Sequence, residues 1–301
     1  MSGSLQSVEV LVAGGDEREI HLARRLIELG ARVWMAGFPP SLLPKGAVPA
    51  SDIAEAAGRV QAILCPLSGT DAEGFIRTRM DPACSLRLDE TTLGACRPGT
   101  VLMIGSPRPV VTALAQRLGL RLVDLLRDEP LALLNAVPTA EGAIGLAMSN
   151  MRITLHDSRA LVIGLGRCGQ QILRLLLAFG AHVTAVGFNR LEAARGFVWG
   201  VPVVEPAAVE RAAAGADVVF NTAPVVTLTE PVLARMRRDA VIVDIASEPG
   251  GTDFQAAQRL GLRAIHAVAL PGRVAPVTAG RILASVVPDL LASLVASPDA
   301  P

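Results

Sequence analysis

The 301-residue sequence predicts an α/β protein of two Rossmann-like domains, each a parallel sheet with helices on both faces. Three observations predict this. The second half carries a G-x-G-x-x-G turn between an apolar strand and an amphipathic helix. The first half opens on a similar strand, turn, helix and strand that lacks the full fingerprint. Throughout, short apolar runs alternate with helical spacing, the pattern of βαβ units.

The fingerprint is the best-defined stretch. Residues 159–163 (RALVI) read as a strand, Gly164, Gly166 and Gly169 set the turn, residues 170–179 continue as a helix, Gly180 ends it, and residues 182–186 are the next strand. Gly164 allows the tight turn, Gly166 lets the backbone approach a pyrophosphate, and Gly169 lets the helix pack closely on the sheet. The helix N-terminus then receives the phosphates, with Arg167 and Cys168 in its first turn. A glycine-rich turn alone is common; between two strands and opening a helix it predicts dinucleotide binding.

Earlier in the chain, residues 8–13 form a strand, Gly14-Gly15-Asp16 a turn with an N-capping aspartate, residues 17–29 a helix closed by Gly30, and residues 32–36 a second strand. Asp16, Arg18 and Glu19 gather at the carboxyl end of the first strand, where open α/β sheets bind ligands. They read equally as a cap with solvated helix charges. Pro39, Pro40, Pro44 and Pro49 make residues 39–59 a loop feeding a short helix, and residues 67–80 a loop over the sheet edge. Strands follow at 62–66, 101–105 and 121–125, with a helix at 109–118. The first domain ends near residue 135.

Residues 136–155 are assigned to a linker, helical over 138–150 with small residues on one face. The nucleotide domain covers 156–275, with strands at 161–163, 182–186, 201–204, 217–220, 241–245 and 263–266. Residues 276–301 hold an amphipathic helix, broken at Pro288, that is expected to return to the first domain.

Composition narrows the function. Twenty-eight basic and 28 acidic residues balance, which gives no electrostatic case for nucleic acid or an anionic membrane. Residues 1–7 lack a basic and apolar leader, and the apolar runs are broken by Arg, Gly, Pro or Asp, so a cytoplasmic protein without a membrane span is expected. Cys65, Cys84, Cys96 and Cys168 show no metal-ligand spacing with the four histidines and read as free thiols; no metal site is expected. His21, His156, His182 and His266 lie in helix, linker and strand positions, and none is assigned as a general base.

Cofactor preference is read from the end of the second strand of the fingerprint unit. NAD-specific sites place Asp or Glu there to bind the ribose 2′-hydroxyl. Here the segment is Gly187-Phe188-Asn189-Arg190, with an amide and a guanidinium able to donate to a 2′-phosphate, so NADP is favoured over NAD.

Several segments together resemble the dipicolinate synthase A-subunit family: Gly14 to Arg18, Pro138 to Ile144, the Gly164 to Gly169 fingerprint, Asn221 to Pro224, Asp244 to Asp253 and Leu270 to Gly280. The similarity runs in order along nearly the whole chain. It implies an alanine/formate-dehydrogenase-like arrangement of two domains, and an enzyme of the mother-cell cytoplasm of endospore formers. Such an enzyme works beside the smaller, flavoprotein-like B-subunit of dipicolinate synthase and converts a dihydrodipicolinate to dipicolinate. Glu248 departs from the family, where a lysine is expected in many relatives.

Removing a hydride and a proton from a dihydropyridine gives an aromatic ring, so the protein chiefly has to align ring and cofactor and bind two carboxylates. Arg18 at the first turn and Arg273 in a Pro271-Gly272-Arg273 loop, each on one side of an expected interdomain cleft, are the candidate carboxylate ligands, with Asp16, Ser247, Gly250 and Gly251 beside them. Asn221, Thr222, Ala223 and Asp244 are expected to line the cofactor, though Asn, Ser and Gly are also ordinary turn residues at strand ends. Two other readings stay open. One is a non-catalytic nucleotide-binding partner of the B-subunit; the other is an alanine- or shikimate-dehydrogenase-like enzyme acting on another small acid. A homo- or hetero-oligomer is expected.

Overall fold

The computed structural model describes residues 5–247 and 249–296. The chain divides into two compact units, one of Met1–Leu134 with Ala275–Pro301, the other of Asn135–Val274. In the first unit the chain forms β1 (Glu9–Ala13), α1 (Glu17–Glu28), β2 (Arg32–Ala36), β3 (Val48–Ala50), α2 (Ala54–Ala57) and β4 (Ala62–Leu64). It continues through β5 (Phe75–Ile76), β6 (Leu86–Arg87), α3 (Glu90–Leu93), β7 (Val101–Ile104), α4 (Pro109–Arg117) and β8 (Arg121–Asp124). Helix α5 (Glu129–Asn150) follows.

The second unit contains β9 (Arg159–Ile163), α6 (Arg167–Ala178), β10 (His182–Val186), α7 (Arg190–Val198), β11 (Val203–Val204), α8 (Val209–Ala214) and β12 (Val218–Asn221). After these come α9 (Glu230–Arg235), β13 (Val241–Asp244), α10 (Phe254–Arg259), β14 (Arg263–His266) and α11 (Leu270–Val274). The last element, α12 (Pro276–Ala296), belongs to the first unit.

Both large sheets are six-stranded and parallel, in the orders β3-β2-β1-β4-β7-β8 and β11-β10-β9-β12-β13-β14. Each reverses direction beside its first strand, which places ligands at the carboxyl ends of those strands. Strand alternation explains the layering. Val10 and Val12 join one apolar core while Leu11 and Ala13 join another on the opposite face. Ala160 and Val162, against Leu161 and Ile163, do the same in the second unit. Buried on both faces, such strands read as continuous apolar runs.

Four expectations change in detail. The linker helix starts not at Pro138 but at Glu129, because the Asp128 carboxylate accepts from the Leu131 N–H at 2.8 Å and caps it. Pro138 therefore lies inside a 22-residue helix. Likewise Pro288 does not interrupt α12; it is itself buried, and the packed apolar face keeps the helix continuous. Residues 39–59 contain a strand, β3, at the sheet edge, where the missing N–H of Pro49 costs no ladder bond. The segment around Arg273 is the short helix α11 rather than a loop.

Helices α5 and α12 are long and apolar enough to cross a membrane by length and composition, with mean hydropathy 1.4 and 1.5. One face of α12 is used in packing: it buries Ala279, Gly280, Leu283, Val287 and Leu291, and shares an apolar core with Leu22 and Leu26 of α1. Gly280 is the notch in that contact. A Cβ there would sit 2.7 Å from His21 Cδ2. Gly280→Ala is therefore expected to lower unfolding stability by about 1–3 kcal/mol through overpacking. Gly145, exposed on α5 with no atom within 4 Å of a new Cβ, gives the opposite case. Gly145→Ala should raise stability by about 0.5–1 kcal/mol, both measured by urea unfolding.

Candidate nucleotide site

Two helices follow the first strand of the two sheets, and their N-termini are built differently. In the second unit, β9 runs into Gly164, whose φ of +85° makes the turn, and Gly166 is the N-cap of α6 with no side-chain cap bond. The first-turn N–H groups of a helix have no intrahelical partner. No heavy atom lies within 4 Å of where a Gly166 Cβ would point. A Cβ on Gly169 would run into the Gly164 carbonyl, which explains the third glycine. Open space beside an uncapped helix N-terminus is what a pyrophosphate requires.

The turn is held from both sides. The Thr222 hydroxyl lies 3.0 Å from each of the Ile163 and Gly164 carbonyl oxygens and shares its one proton between them. Arg195 donates to the Leu165 carbonyl at 2.9 Å. Thr222 is thus a positioning residue for the glycine turn, and Arg195 is a second one that sequence reading did not single out. Cys168 is half-buried in the first turn of α6, and burial pushes its thiol up from the ordinary value. Arg167 is half-buried there, and Ala223 is buried beyond Thr222.

The first unit closes the corresponding place with its own atoms. Asp16 caps α1 and Glu19 completes a capping box, its Oε2 accepting from the Asp16 N–H at 2.7 Å. Gly15 bonds the carbonyl of Arg77 and accepts from the N–H of Arg79, so the segment after β5 lies along the turn. The expectation that Asp16 and Arg18 present themselves to substrate is corrected here. They are 7% and 5% exposed, and the Arg18 guanidinium is paired bidentately with Asp16 at 2.8 and 3.0 Å. The pairing takes one fork of the guanidinium, its Nε–Nη2 edge, which is then not offered to a substrate carboxylate.

With Arg18 spent on Asp16, Glu19 is the surplus acid of a buried cluster. Burial, partly offset by Arg18, pushes its carboxyl up to about 7.

Asp244 also lies beneath the surface rather than at it. It is 0% exposed, and its carboxylate accepts from Asn221 Nδ2 (3.0 Å), the N–H groups of Ala246 (3.0 Å) and Gly251 (2.9 Å), and the Thr252 hydroxyl (2.6 Å). Four inward donors make it the tie that shapes the 245–252 loop, not a group that lines a cofactor. Asn221 is equally buried. Its Nδ2 serves Asp244 and the Ala223 carbonyl, which fixes the amide orientation and leaves Oδ1 without a partner among the described residues. On that loop Gly250 and Gly251 are buried, Ser247 is exposed, and Glu248 lies outside the described residues.

At the end of β10, Asn189 is the N-cap of α7, its Oδ1 accepting from the Glu192 N–H at 2.9 Å. The sequence argument that this strand end carries no acid is corrected: Glu192 turns back, and its carboxylate accepts from the Phe188 N–H at 3.0 Å. An Asn followed three residues later by Glu is the capping-box spacing, so this carboxylate was readable. Arg190 is exposed and has no ion pair among the described residues; Arg273 on α11 is the same. Among the described residues no group of His, Cys, Asp and Glu could hold a metal ion.

Residues 9–126 match the N-terminal domain of the dipicolinate synthase A-subunit, and residues 139–249 the NAD-binding domain of D-isomer specific 2-hydroxyacid dehydrogenases. The dipicolinate synthase A-subunit of Bacillus subtilis is 33% identical over 97% of this chain and 98% of its own. The chain belongs to the dipicolinate synthase A-subunit family. Its structure superposes on the B. subtilis protein with a TM-score of 0.89, covering 97% of this chain and 98% of that one. The Bacillus halodurans family member also gives 0.89, at 32% identity over 99% of this chain and 100% of that one. An L-alanine dehydrogenase shares the fold at 16% identity and a TM-score of 0.65, over 96% of this chain and 90% of that one. This family member is an NAD(P)-dependent oxidoreductase, and its second unit is the nicotinamide-dinucleotide-binding one.

The folded-state value of Glu19 lies above the 4.5 of a free glutamate, so folding favours the protonated form. That contribution is complete below about pH 4.5 and is lost as pH rises through about 7. Stability should fall across this window by on the order of 3 kcal/mol. In Glu19→Gln, which keeps the acceptor for the Asp16 N–H, the fall should vanish from urea midpoints recorded between pH 4.5 and 8. For the second unit, Asp244→Asn sets an NH2 group against one or more of four donors. It should cost about 1–3 kcal/mol in the same unfolding measurement.

Proposed function

We infer that this protein oxidises dihydrodipicolinate to dipicolinate with NADP, in the cytoplasm of a sporulating mother cell and together with the B-subunit of dipicolinate synthase. The observation that carries the reading is the contrast between the two helix N-termini. In a chain of this family, the open glycine turn of the second unit is left for a dinucleotide, and the first unit is left for other work. Gly164, Gly166 and Gly169 form the cradle, with the first-turn N–H groups of Arg167 and Cys168 facing the phosphates. Thr222 and Arg195 hold the cradle in shape.

When bound, the nicotinamide supplies the hydride acceptor; the accompanying proton leaves to solvent or a base, and the aromaticity of the pyridine ring drives the reaction. The chain's own task is to bind the diacid, orient it and exclude water. Arg273, exposed and without an ion pair among the described residues, is a carboxylate ligand in this reading, and Ser247, Gly250 and Gly251 shape the loop on the same unit.

Purified chain given NADP and enzymatically generated dihydrodipicolinate should produce dipicolinate absorbance together with NADPH. NADP binding without turnover until the B-subunit is added would replace this reading with that of a nucleotide-binding partner. Turnover of another small acid, with none of dihydrodipicolinate, would replace it with an alanine- or shikimate-dehydrogenase-like activity.

Cofactor choice rests on Arg190, which has no ion pair among the described residues and stands at the start of α7. Glu192 supports a second reading, NAD, because it brings a carboxylate to the end of β10, the strand end at which an acid commonly accepts from a ribose 2′-hydroxyl. Arg190→Ala should weaken NADP by on the order of 1.5–3 kcal/mol, roughly ten-fold or more in Kd, and leave NAD nearly unchanged. Equal loss for the two cofactors by fluorescence titration would sink the assignment of Arg190 to the 2′-phosphate.

A further inference from the structure

Near the place where Arg18 is already committed, Arg77 and Arg79 have no ion pair among the described residues. From Phe75 to Arg79 burial alternates strictly: Phe75, Arg77 and Arg79 are exposed, Ile76 and Thr78 buried. In an extended segment residues two apart share a face, so the two guanidiniums leave the chain on the same side, with Cα atoms about 6.6 Å apart.

The segment is fixed to the sheet. The Gly15 N–H donates to the Arg77 carbonyl at 2.9 Å and the Arg79 N–H donates to the Gly15 carbonyl at 3.0 Å. The Thr78 hydroxyl donates to the Cys84 carbonyl at 2.6 Å. Two glycines make room for it: a Cβ at Gly14 would strike Ile76, and one at Gly37 would lie 2.9 Å from Thr78 Cγ2. Arg77 and Arg79 are thus carried at the carboxyl end of β1, next to the reversal of strand order, on backbone tied down by main-chain bonds.

Neither side chain has an ion pair or hydrogen bond among the described residues. Their neighbours do. Arg87 lies over the Phe75 ring at 5.2 Å, donates to the Glu73 carbonyl and approaches Asp89. Asp71 turns its carboxylate to the Glu73 and Phe75 N–H groups.

We propose that Arg77 and Arg79 form the carboxylate-binding site of the first unit and take a carboxylate of the small dicarboxylate substrate. Like the proposed function on which it rests, it concerns an anionic diacid. Two planar guanidiniums on a fixed backbone suit a carboxylate, because each presents a fork of N–H donors.

The test uses the whole chain and the variants Arg77→Gln and Arg79→Gln, with the exposed Arg97→Gln as control. Calorimetric titration is run with dipicolinate, succinate, inorganic phosphate and NADP, and thermal unfolding is followed in parallel. Dipicolinate affinity should fall ten-fold or more in each of the first two variants and stay within two-fold in the control. NADP affinity should stay within two-fold in all three, with unchanged Tm. Dipicolinate affinity kept within two-fold in both variants would overturn the proposal, as would phosphate binding as tight as dipicolinate and lost in parallel. If the wild type binds succinate but not dipicolinate, and both variants lose succinate, the arginine pair stands and the dipicolinate reading fails. A wild type that binds no diacid overturns both.

Discussion

A helix that starts at the carboxyl edge of a parallel sheet points several unpaired N–H groups at whatever lies above it, and this chain answers that constraint in two ways. At α6 the groups are left without a side-chain cap, because Gly166, the N-cap, offers no side chain. At α1 they are satisfied internally by Asp16, and Glu19 returns the bond to the Asp16 N–H. Two units with the same strand order thereby carry differently furnished helix N-termini. The difference lies in a few side chains at one turn, while the sheets that position those turns are alike.

Closing the α1 turn has electrostatic consequences. An aspartate that caps a helix and also binds Arg18 leaves the neighbouring glutamate with no cation of its own, and burial then favours its proton. The same closure brings the segment after β5 down onto Gly15 and lifts Arg77 and Arg79 to the surface. The carboxylate cluster and the exposed arginines are therefore two sides of one local arrangement. In the second unit Asp244 plays a comparable internal part, spending four acceptor positions on one loop so that the glycines there can be held without side chains.

Much of the fold was legible because its periods are strong. The glycine spacing of 164, 166 and 169 gave the nucleotide turn, and runs such as Val10 to Ala13 gave strands buried on both faces. Prolines misled in three places. Pro138 and Pro288 sit inside helices kept continuous by packing, and Pro49 sits in an edge strand. Local rules for proline assume a segment on its own, whereas the packed faces of helices 22 and 21 residues long outweigh one lost hydrogen bond. At the Asn189 cap the missed carboxylate was one of spacing: Glu192 stands outside the stretch read for cofactor preference and returns to it through the first turn of α7.

By itself the sequence determined the class of fold, the nucleotide turn and the family, because each is written in short-range spacing or in residues kept in order along the chain. Which charges are free was decided only by tertiary structure. Asp16, Arg18 and Asp244 look like ligand-binding groups in one dimension, yet each is buried among partners brought together by the sheet: Arg18 on Asp16, and Asp244 on donors from β12 and its own following loop. Arg77 and Arg79 look like loop charges and stand open at the sheet edge. The physical reason is that a charged group binds a ligand only with donors or acceptors that the fold has not already satisfied, and that accounting is non-local.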